Sequence, residues 1–548
     1  MATNSPPPPG IPEAARLSTQ TWQNDLLDLF HNAKDRFPDV VWELHPDDDH
    51  DRSEDVWGHK AIVYARAPPS FQARYFSFRP APIASPTPYS SSPSPAPAQS
   101  SISLSLTLDY AHNSRSPSPF RSSSPAPSTN GALLRIPQQI SPALFSNELE
   151  YLYTGKGLGE AFEFLFDTSE SSDLLDAEEN RIDKLRKDLV FMWRSRLYSD
   201  VRISLSGTFS TSNPEHTTAV FATHRFILVS RSPYFRAQLL SWAPKSAIAG
   251  APGEPFTVTL PSPPFTPASL HFTLGYIYTG TLVFSHRTYD LDTGFAILRA
   301  ATYLSLPQLY DEIQARVVYE MLHGLYHAFL EFDEYERITG AKWGTGGCRC
   351  RQCARRIPRV LEFALADDVS NKYLDRGARR ALVGLFGEGW CNSEFASLSQ
   401  KIRDSVVKGV GKRTTPSNVF PLLFAAQHAM KKLDAAIDAW ADISREMVLA
   451  ARKTIDECII RESEACFEQS DWVDMMEGDG VGFEDGERVG WVMEVFKRGM
   501  SERYAGTVYQ VRPSFTFVSY IPTGLYLIIT DYCIKHPSPT SRYRDRRD

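Results

Sequence analysis

The sequence lacks the signatures that most enzymes carry. It has no H-E-x-x-H, no G-x-S-x-G and no kinase pattern, so an enzymatic reading has no residues to stand on. Neither sign of charge dominates. Fifty-eight Lys and Arg against 65 Asp and Glu leave a formal net charge of −7, which excludes a global electrostatic footprint for nucleic acid and points to protein partners. There are seven cysteines, an odd count, and no charged-then-apolar segment opens the chain, so the expectation is a reducing intracellular compartment, cytoplasm or nucleus. Long apolar runs are missing except for Phe515 to Cys533. Pro522, Gly524 and Asp531 interrupt that run, and it reads as a terminal strand pair or tail rather than a membrane span. Gly478-Asp479-Gly480-Val481-Gly482 has the glycines of a phosphate loop, but Glu477, Glu484 and Asp485 would repel phosphate and no Gly-Lys-Ser/Thr follows.

What the chain does have is repetition. His59-Lys60-Ala61-Ile62-Val63, with Arg66 and Pro68, returns as His224-Arg225-Phe226-Ile227-Leu228, with Arg231 and Pro233, each pair 165 positions apart. Tyr151-Leu152-Tyr153-Thr154-Gly155 returns as Tyr276-Ile277-Tyr278-Thr279-Gly280, 125 apart, so the first copy carries an insertion of 40 residues. The same motifs in the same order predict a duplicated module. In the second copy Val201, Ile203 and Leu205 alternate with Arg202, Ser204 and Ser206, the period of a half-buried strand, and Ala219–Ala222 is its predicted hairpin partner. Ser232-Pro233 predicts a helix start, and Gly280 the end of a helix bearing Phe272, Leu274, Tyr276 and Ile277.

These residues resemble the BTB/POZ family. The second copy matches better, from Tyr198-Ser199-Asp200-Val201 through His224-Arg225 and Ser232-Pro233-Tyr234-Phe235 to Ala300-Ala301-Thr302-Tyr303-Leu304. The first copy offers Phe37-Pro38-Asp39-Val40-Val41 and Gly58-His59-Lys60 but no comparable Ala-Ala-x-Tyr-Leu helix. Tandem modules with an interrupted first copy are similar to Rho-related BTB proteins, without their GTPase domain, and to a type common in fungi. The resemblance implies an α+β fold: two BTB/POZ modules, each a small sheet covered by helices, followed by an all-α region similar to BACK-type extensions.

The expected organisation is a disordered N-terminus over 1–17, a first module over 18–79 and 131–190, a disordered Ser/Pro-rich insertion over 80–130, and a second module over 191–322. A helical region over 323–512 and a tail over 513–548 follow. Trp22, Leu26, Leu29, Phe30 and Ala33 predict a short amphipathic helix. Leu134-Arg135-Ile136-Pro137 is expected to mirror Thr259-Leu260-Pro261. A charged helix from Asp176 to Trp193 is expected to join the modules directly and to favour packing of one on the other as an internal pseudo-dimer. Met430, Leu433, Ile437, Trp440, Ser444 and Met447, prolonged by Ile455 and Ile459, predict one long bundle helix. Ser85, Ser92, Ser94, Ser116, Ser118 and Ser124 precede prolines in the insertion and suit proline-directed phosphorylation.

Cys348-Arg349-Cys350-Arg351-Gln352-Cys353 is the strongest chemical signal. Three thiols within six residues suit tetrahedral zinc, with Cys391 as the fourth ligand in the preferred set and His323 or His327 as alternatives. A reduced thiol cluster is the competing reading, because the second C-x-x-C half of common zinc sites is missing. Arg349, Arg351, Arg355 and Arg356 would favour the thiolate form. The recurrent His59 and His224 are assigned to structure, since no nucleophile or carboxylate recurs beside them as a catalytic base requires.

The resemblance places a protein interface at His224, Arg225, Tyr234, Phe235 and Leu239, and implies a non-enzymatic scaffold that pairs its modules internally or forms a homodimer. Two functions compete. One is a substrate adaptor for a cullin-type ubiquitin ligase, although Leu239-Leu240-Ser241-Trp242-Ala243-Pro244-Lys245 lacks the glutamate those adaptors usually carry. The other is a nuclear regulatory protein binding a transcriptional co-regulator or, through a zinc-stabilised segment, nucleic acid.

Overall fold

The computed structural model describes residues 7–45, 54–75, 133–156, 174–209, 217–242, 256–340, 343–477 and 483–499. The Ser/Pro-rich insertion with its expected phosphorylation sites, the acidic glycine segment and the C-terminal tail lie outside these residues. The described residues form two compact units, one over Pro8–Arg316 and another from Val317 onward. The division falls six residues before the expected boundary at 322. No helix among the described residues is long and apolar enough to cross a membrane.

The unit over 8–316 runs α1 (Ile11–His31), β1 (Val40–His45), β2 (Glu54–Gly58), α2 (Lys60–Arg66), α3 (Pro69–Tyr75), β3 (Leu134–Gln139), α4 (Pro142–Thr154) and α5 (Leu174–Arg194). It continues through β4 (Val201–Gly207), β5 (Thr217–Thr223), α6 (Arg225–Arg231), α7 (Pro233–Arg236), β6 (Phe256–Leu260), α8 (Pro267–Thr279), α9 (Leu291–Tyr303) and α10 (Pro307–Arg316). The two sheets have the same topology. In each the first strand is central, flanked by an antiparallel hairpin partner and by a parallel strand from later in the chain: β2-β1-β3 and β5-β4-β6.

The strands follow from their side-chain period. Val201, Ile203 and Leu205 are buried while Arg202 and Ser206 face solvent, as alternation requires of a sheet covered on one face. Pro137, which cannot donate to a ladder, is accommodated because β3 is an edge strand. One expected equivalence shifts. Val40 pairs with Leu134 and Val201 with Phe256, so Ile136 corresponds to Val258 and not to Leu260. The connection from the last strand to the Tyr-x-Tyr-Thr-Gly helix differs in length between the copies, a difference that motif matching does not register.

Both Tyr-x-Tyr-Thr-Gly segments end helices in the same way. Gly155 and Gly280 adopt left-handed φ of +69° and +66°, and the hydroxyls of Thr154 and Thr279 donate to the carbonyls of Glu150 and Gly275. Ser232 caps α7 by accepting from Phe235 N–H, and Thr266 and Ser269 cap α8 reciprocally.

The amphipathic helix α1 begins at Ile11, with proline in its first turn, so residues 11–17 are helical where disorder is expected. Its apolar face is not the surface of a lone helix. Trp22, Leu26, Leu29, Phe30 and Ala33 are all buried. α5 forms over almost the span expected of it, with Leu185, Leu189, Met192 and Trp193 buried.

From residue 317 onward every labelled element is helical. The main ones are α11 (Phe332–Thr339), α12 (Arg351–Leu365), α13 (Lys372–Gly384), α14 (Ser393–Ser397), α15 (Gln400–Arg413), α16 (Val419–Asp434) and α17 (Trp440–Arg461). Trp390 lies at the centre of this unit, stacked on Phe395 at 4.7 Å and edge-on to Phe386 at 4.9 Å. The long helix expected from Met430 to Ile459 is two helices. The break falls at Ala435–Ala439, and Ile437, placed on the apolar stripe by its spacing, is fully exposed there. Two packed helices can carry apolar residues that stay in phase across a turn, and periodicity alone does not separate that case from one helix.

The two glycine caps predict a graded pair of substitutions. At Gly155 an added Cβ meets nothing closer than 3.7 Å, so Gly155→Ala should cost only the left-handed penalty of about 1–2 kcal/mol. At Gly280 it lies 2.5 Å from Trp22 Cβ, so Gly280→Ala should add overpacking of about 1–3 kcal/mol. Urea unfolding of the two variants checks the order.

Candidate functional site

Each copy of the repeat builds the same buried polar cluster. His59 Nδ1 lies 2.7 Å from Tyr153 Oη and its Nε2 lies 2.8 Å from the Arg36 carbonyl. His224 Nδ1 lies 2.7 Å from Tyr278 Oη and its Nε2 lies 2.6 Å from the Leu197 carbonyl. A carbonyl only accepts, so Nε2 carries the proton, Nδ1 accepts, and the tyrosine hydroxyl donates. Burial pushes the His59 ring down to about 4 and His224 down likewise, which keeps both neutral. The backbone N–H of Lys60 and of Arg225 donates to Asp39 Oδ1 and Asp200 Oδ1, at 2.7 and 2.8 Å. Phe37 and Tyr198 repeat even the left-handed φ, at +57° and +55°. Both ring nitrogens are engaged and both rings are fully buried, so each histidine ties its helix start to the neighbouring segments.

The two clusters meet. The His59 ring stacks on Phe226 at 4.1 Å between centroids and 22° between planes, while His224 lies 5.4 Å from the same phenyl ring. Around this contact the leading helices are exchanged. α1 precedes the first copy, yet its Asp25 pairs with Arg231 of the second copy and its Trp22 Nε1 donates to the Tyr278 carbonyl at 2.9 Å. α5 precedes the second copy, yet its Asp188 pairs with Arg66 of the first at 3.1 Å. Each also touches the other half: Phe30 lies 5.4 Å from Tyr153, and Trp193 stacks on Tyr278 at 5.4 Å. Arg66 and Arg231 are the matched arginines of the repeat, so both copies use the same residue to hold a leading helix. Arg225 lies over Phe37 at 4.7 Å as well as pairing with Asp200 at 2.8 Å.

Of the residues expected to face a partner, His224, Phe235 and Leu239 are buried inside the unit and cannot present a surface. A charged substitution at Leu239 would disrupt the core and would not report on a surface contact. Arg225 is occupied as described. Tyr234 remains, and it belongs to an aromatic patch that motif matching misses. Its ring lies 4.9 Å from Tyr303 and 6.0 Å from Trp242, with Leu240 beside them in sequence. Trp242 is 61% exposed, Leu240 42% and Tyr303 38%. A π-type turn over Ala237–Trp242 widens the chain path after α7, burying Leu239 and leaving the flanking Leu240 and Trp242 outside.

The profile of the BTB/POZ domain matches residues 194–320, so this part of the chain is a BTB/POZ domain, a module that mediates protein–protein interaction and dimerisation. The match covers the second copy of the repeat and not the first. No curated protein and no solved structure matches the chain.

The thiols gather in the helical unit. Cys348, Cys350 and Cys353 come together with His323, whose Nδ1 is 3.2, 3.8 and 3.5 Å from the three sulfurs. Cys391 is not in this group; its thiol faces the carbonyls of Gly387 and Ala429 at 3.7 and 3.8 Å. His327 lies against the Tyr335 ring. Cys350 is the N-cap of α12 and accepts from Cys353 N–H at 3.4 Å, and Cys350 N–H donates to Cys348 Sγ at 3.5 Å. Burial raises the Cys350 thiol, but the Cys353 N–H and the neighbouring thiols outweigh it and bring it down to about 7. The flanking arginines act less directly than expected. Arg349 stacks on Trp343 at 4.5 Å, Arg355 pairs with Glu394 at 2.6 Å, and Arg356 donates to the Met321 carbonyl at 2.9 Å.

His323 reaches the thiols through unusual backbone. Residues 323–327 have φ of +49°, +94°, +38°, +49° and +51°, a left-handed turn in which only position 324 is glycine. At about 1–2 kcal/mol per residue, the four others cost on the order of 4–8 kcal/mol. Burial of Leu325 and Tyr326, at about 1.5–3 kcal/mol each, offsets much of this. Gly377 and Gly384 on α13 make room, since a Cβ at the first would lie 2.8 Å from Leu325 Cγ and at the second 2.4 Å from Tyr326 Cε1. Arg380 donates to the carbonyls of His327 and Leu330, both at 3.0 Å.

The ring stack predicts energetic coupling between residues 167 apart in sequence. Phe226→Ala should destabilise the protein by about 3–5 kcal/mol. A double-mutant cycle with His59→Ala should return a coupling of about 0.5–1.5 kcal/mol. Chemical denaturation of the wild type, both single variants and the double variant gives the value; strict additivity would mean the rings do not interact.

Proposed function

We propose that this chain is a non-enzymatic protein-interaction scaffold in which the BTB/POZ domain is paired with a divergent copy of itself, residues 18–79 and 131–190, in the same chain. The observation that carries this reading is the repeated histidine–tyrosine–carbonyl cluster joined through His59 and Phe226. The matched arginines clamped by exchanged leading helices support it further. A module that associates with its own kind finds its partner here at an effective concentration set by the short α5 link, so the pairing depends neither on protein concentration nor on a second chain.

Pairing within the chain leaves the Tyr234, Leu240, Trp242 and Tyr303 patch free for another protein. Aromatic side chains with polar edges are the residues that dominate protein interfaces, because they bury large areas at little cost in side-chain entropy. We assign this patch to a cullin-type ubiquitin ligase scaffold, with the chain as its substrate adaptor.

Purified full-length protein should bind a cullin N-terminal domain at micromolar concentration or tighter. Trp242→Ala should weaken that binding roughly tenfold or more, as expected of a hot-spot tryptophan. The melting temperature should stay unchanged because the ring is exposed. Titration calorimetry alongside thermal unfolding decides this; no binding, or binding indifferent to Trp242→Ala, removes the adaptor reading.

A further inference from the structure

Three thiol sulfurs converge on one imidazole nitrogen. A ring nitrogen carries either one proton or one lone pair, so His323 Nδ1 can satisfy one of the three sulfurs within 3.8 Å of it. A metal ion at the centre satisfies all four groups together. Bonds of about 2.3 Å to sulfur and about 2.0 Å to nitrogen give a tetrahedron with edges of about 3.5–3.8 Å. The nitrogen–sulfur separations of 3.2–3.8 Å lie around that length, and all four ligand atoms fall within 4.8 Å of one another.

We propose that His323, Cys348, Cys350 and Cys353 hold a structural zinc ion. Three thiolates and one imidazole are the donor set that tetrahedral zinc prefers over the oxygen-seeking magnesium and calcium. Four protein ligands close the coordination sphere, so the role is to hold structure and not to activate water. The surroundings suit thiolates. Cys350 and Cys348 each accept a backbone N–H, and Cys350 caps the 15-residue α12, whose N-terminal dipole favours negative charge. Zinc with three thiolates and a neutral imidazole carries one net negative charge, which the N-terminus of α12 favours.

The ion explains the left-handed turn. His323 opens a run of five residues at positive φ, and the turn is what carries its ring back over the start of α12. A zinc bond at His323 anchors one end of that run while Leu325 and Tyr326 anchor its middle on α13. Here the left-handed backbone is the geometric requirement for supplying the fourth ligand from 25 residues upstream of Cys348.

The test uses the full-length chain purified without chelator, with zinc measured by elemental mass spectrometry and cobalt(II) as the spectroscopic probe. The expected result is about one zinc per chain, and a cobalt-exchanged form showing tetrahedral ligand-field bands with thiolate charge transfer. His323→Ala and Cys350→Ser should each lower zinc affinity at least tenfold. Cys391→Ser should keep the full zinc content, and His323→Cys should retain the metal with a cobalt spectrum of four thiolates. If the ligand variants fail to fold, the wild type still decides the matter. Zinc should shield Cys348 and Cys350 from alkylation, and chelation should make both reactive. A wild-type chain without stoichiometric zinc that takes up no tetrahedral cobalt overturns the proposal. Equal alkylation with and without zinc, a disulfide within the cluster, or loss of zinc in Cys391→Ser would do so as well.

Discussion

The unit over 8–316 depends on a neutral, fully buried histidine held at both ring nitrogens, used twice. Each ring ties a strand-to-helix junction to the Tyr-x-Tyr-Thr-Gly helix on one side and to the segment before the first strand on the other. A buried polar group that lost one of these partners would cost about 1–3 kcal/mol, so the ring, the tyrosine and the carbonyl specify one another. With the junctions fixed, Phe226 is delivered to the face of His59, and the two halves acquire a common centre.

From that centre the exchange of leading helices follows. α1 and α5 each bury an apolar stripe against both halves, and each offers a carboxylate to the matched arginine of the half it does not precede. Arg231 is almost entirely enclosed, with its side chain 2% exposed, and its Nε also donates to the Ile277 carbonyl. Burial pushes the Asp25 carboxyl up against the opposing pull of this guanidinium. Such a pair adds little net stability, but removing one partner strands a charge, so it enforces which helix sits where. The two copies of the repeat are thereby held together by the helices that lead into them.

Much of this is legible in the residues because the repeat is local. Alternation located β4, the Ser-Pro pair located the start of α7, and glycine located the end of α8. Each of these signals acts over one strand or one helical turn. What local patterns do not carry is the identity of the surface on the other side. Trp22 and Leu26 predict an apolar stripe without revealing that it is buried against both copies of the repeat. Leu239 carries a familiar motif position but is turned inward by the π-type turn. Ile437 keeps the apolar phase across a break between two helices. His323 was one of three alternatives for the fourth group beside the thiols, and only the left-handed turn, which no pattern in residues 323–327 announces beyond Gly324, distinguishes it from Cys391.

Whether the two copies of the repeat form one cooperative structure is decided by native-state hydrogen exchange read by mass spectrometry. In one cooperative structure the amides of α2 and of α6 exchange only through the same global opening, with equal free energies and equal denaturant dependence, and both lose protection together in Phe226→Ala. Exchange of the first copy, residues 54–75 and 133–156, through a separate opening of much lower free energy while α6 and α8 stay protected would contradict it.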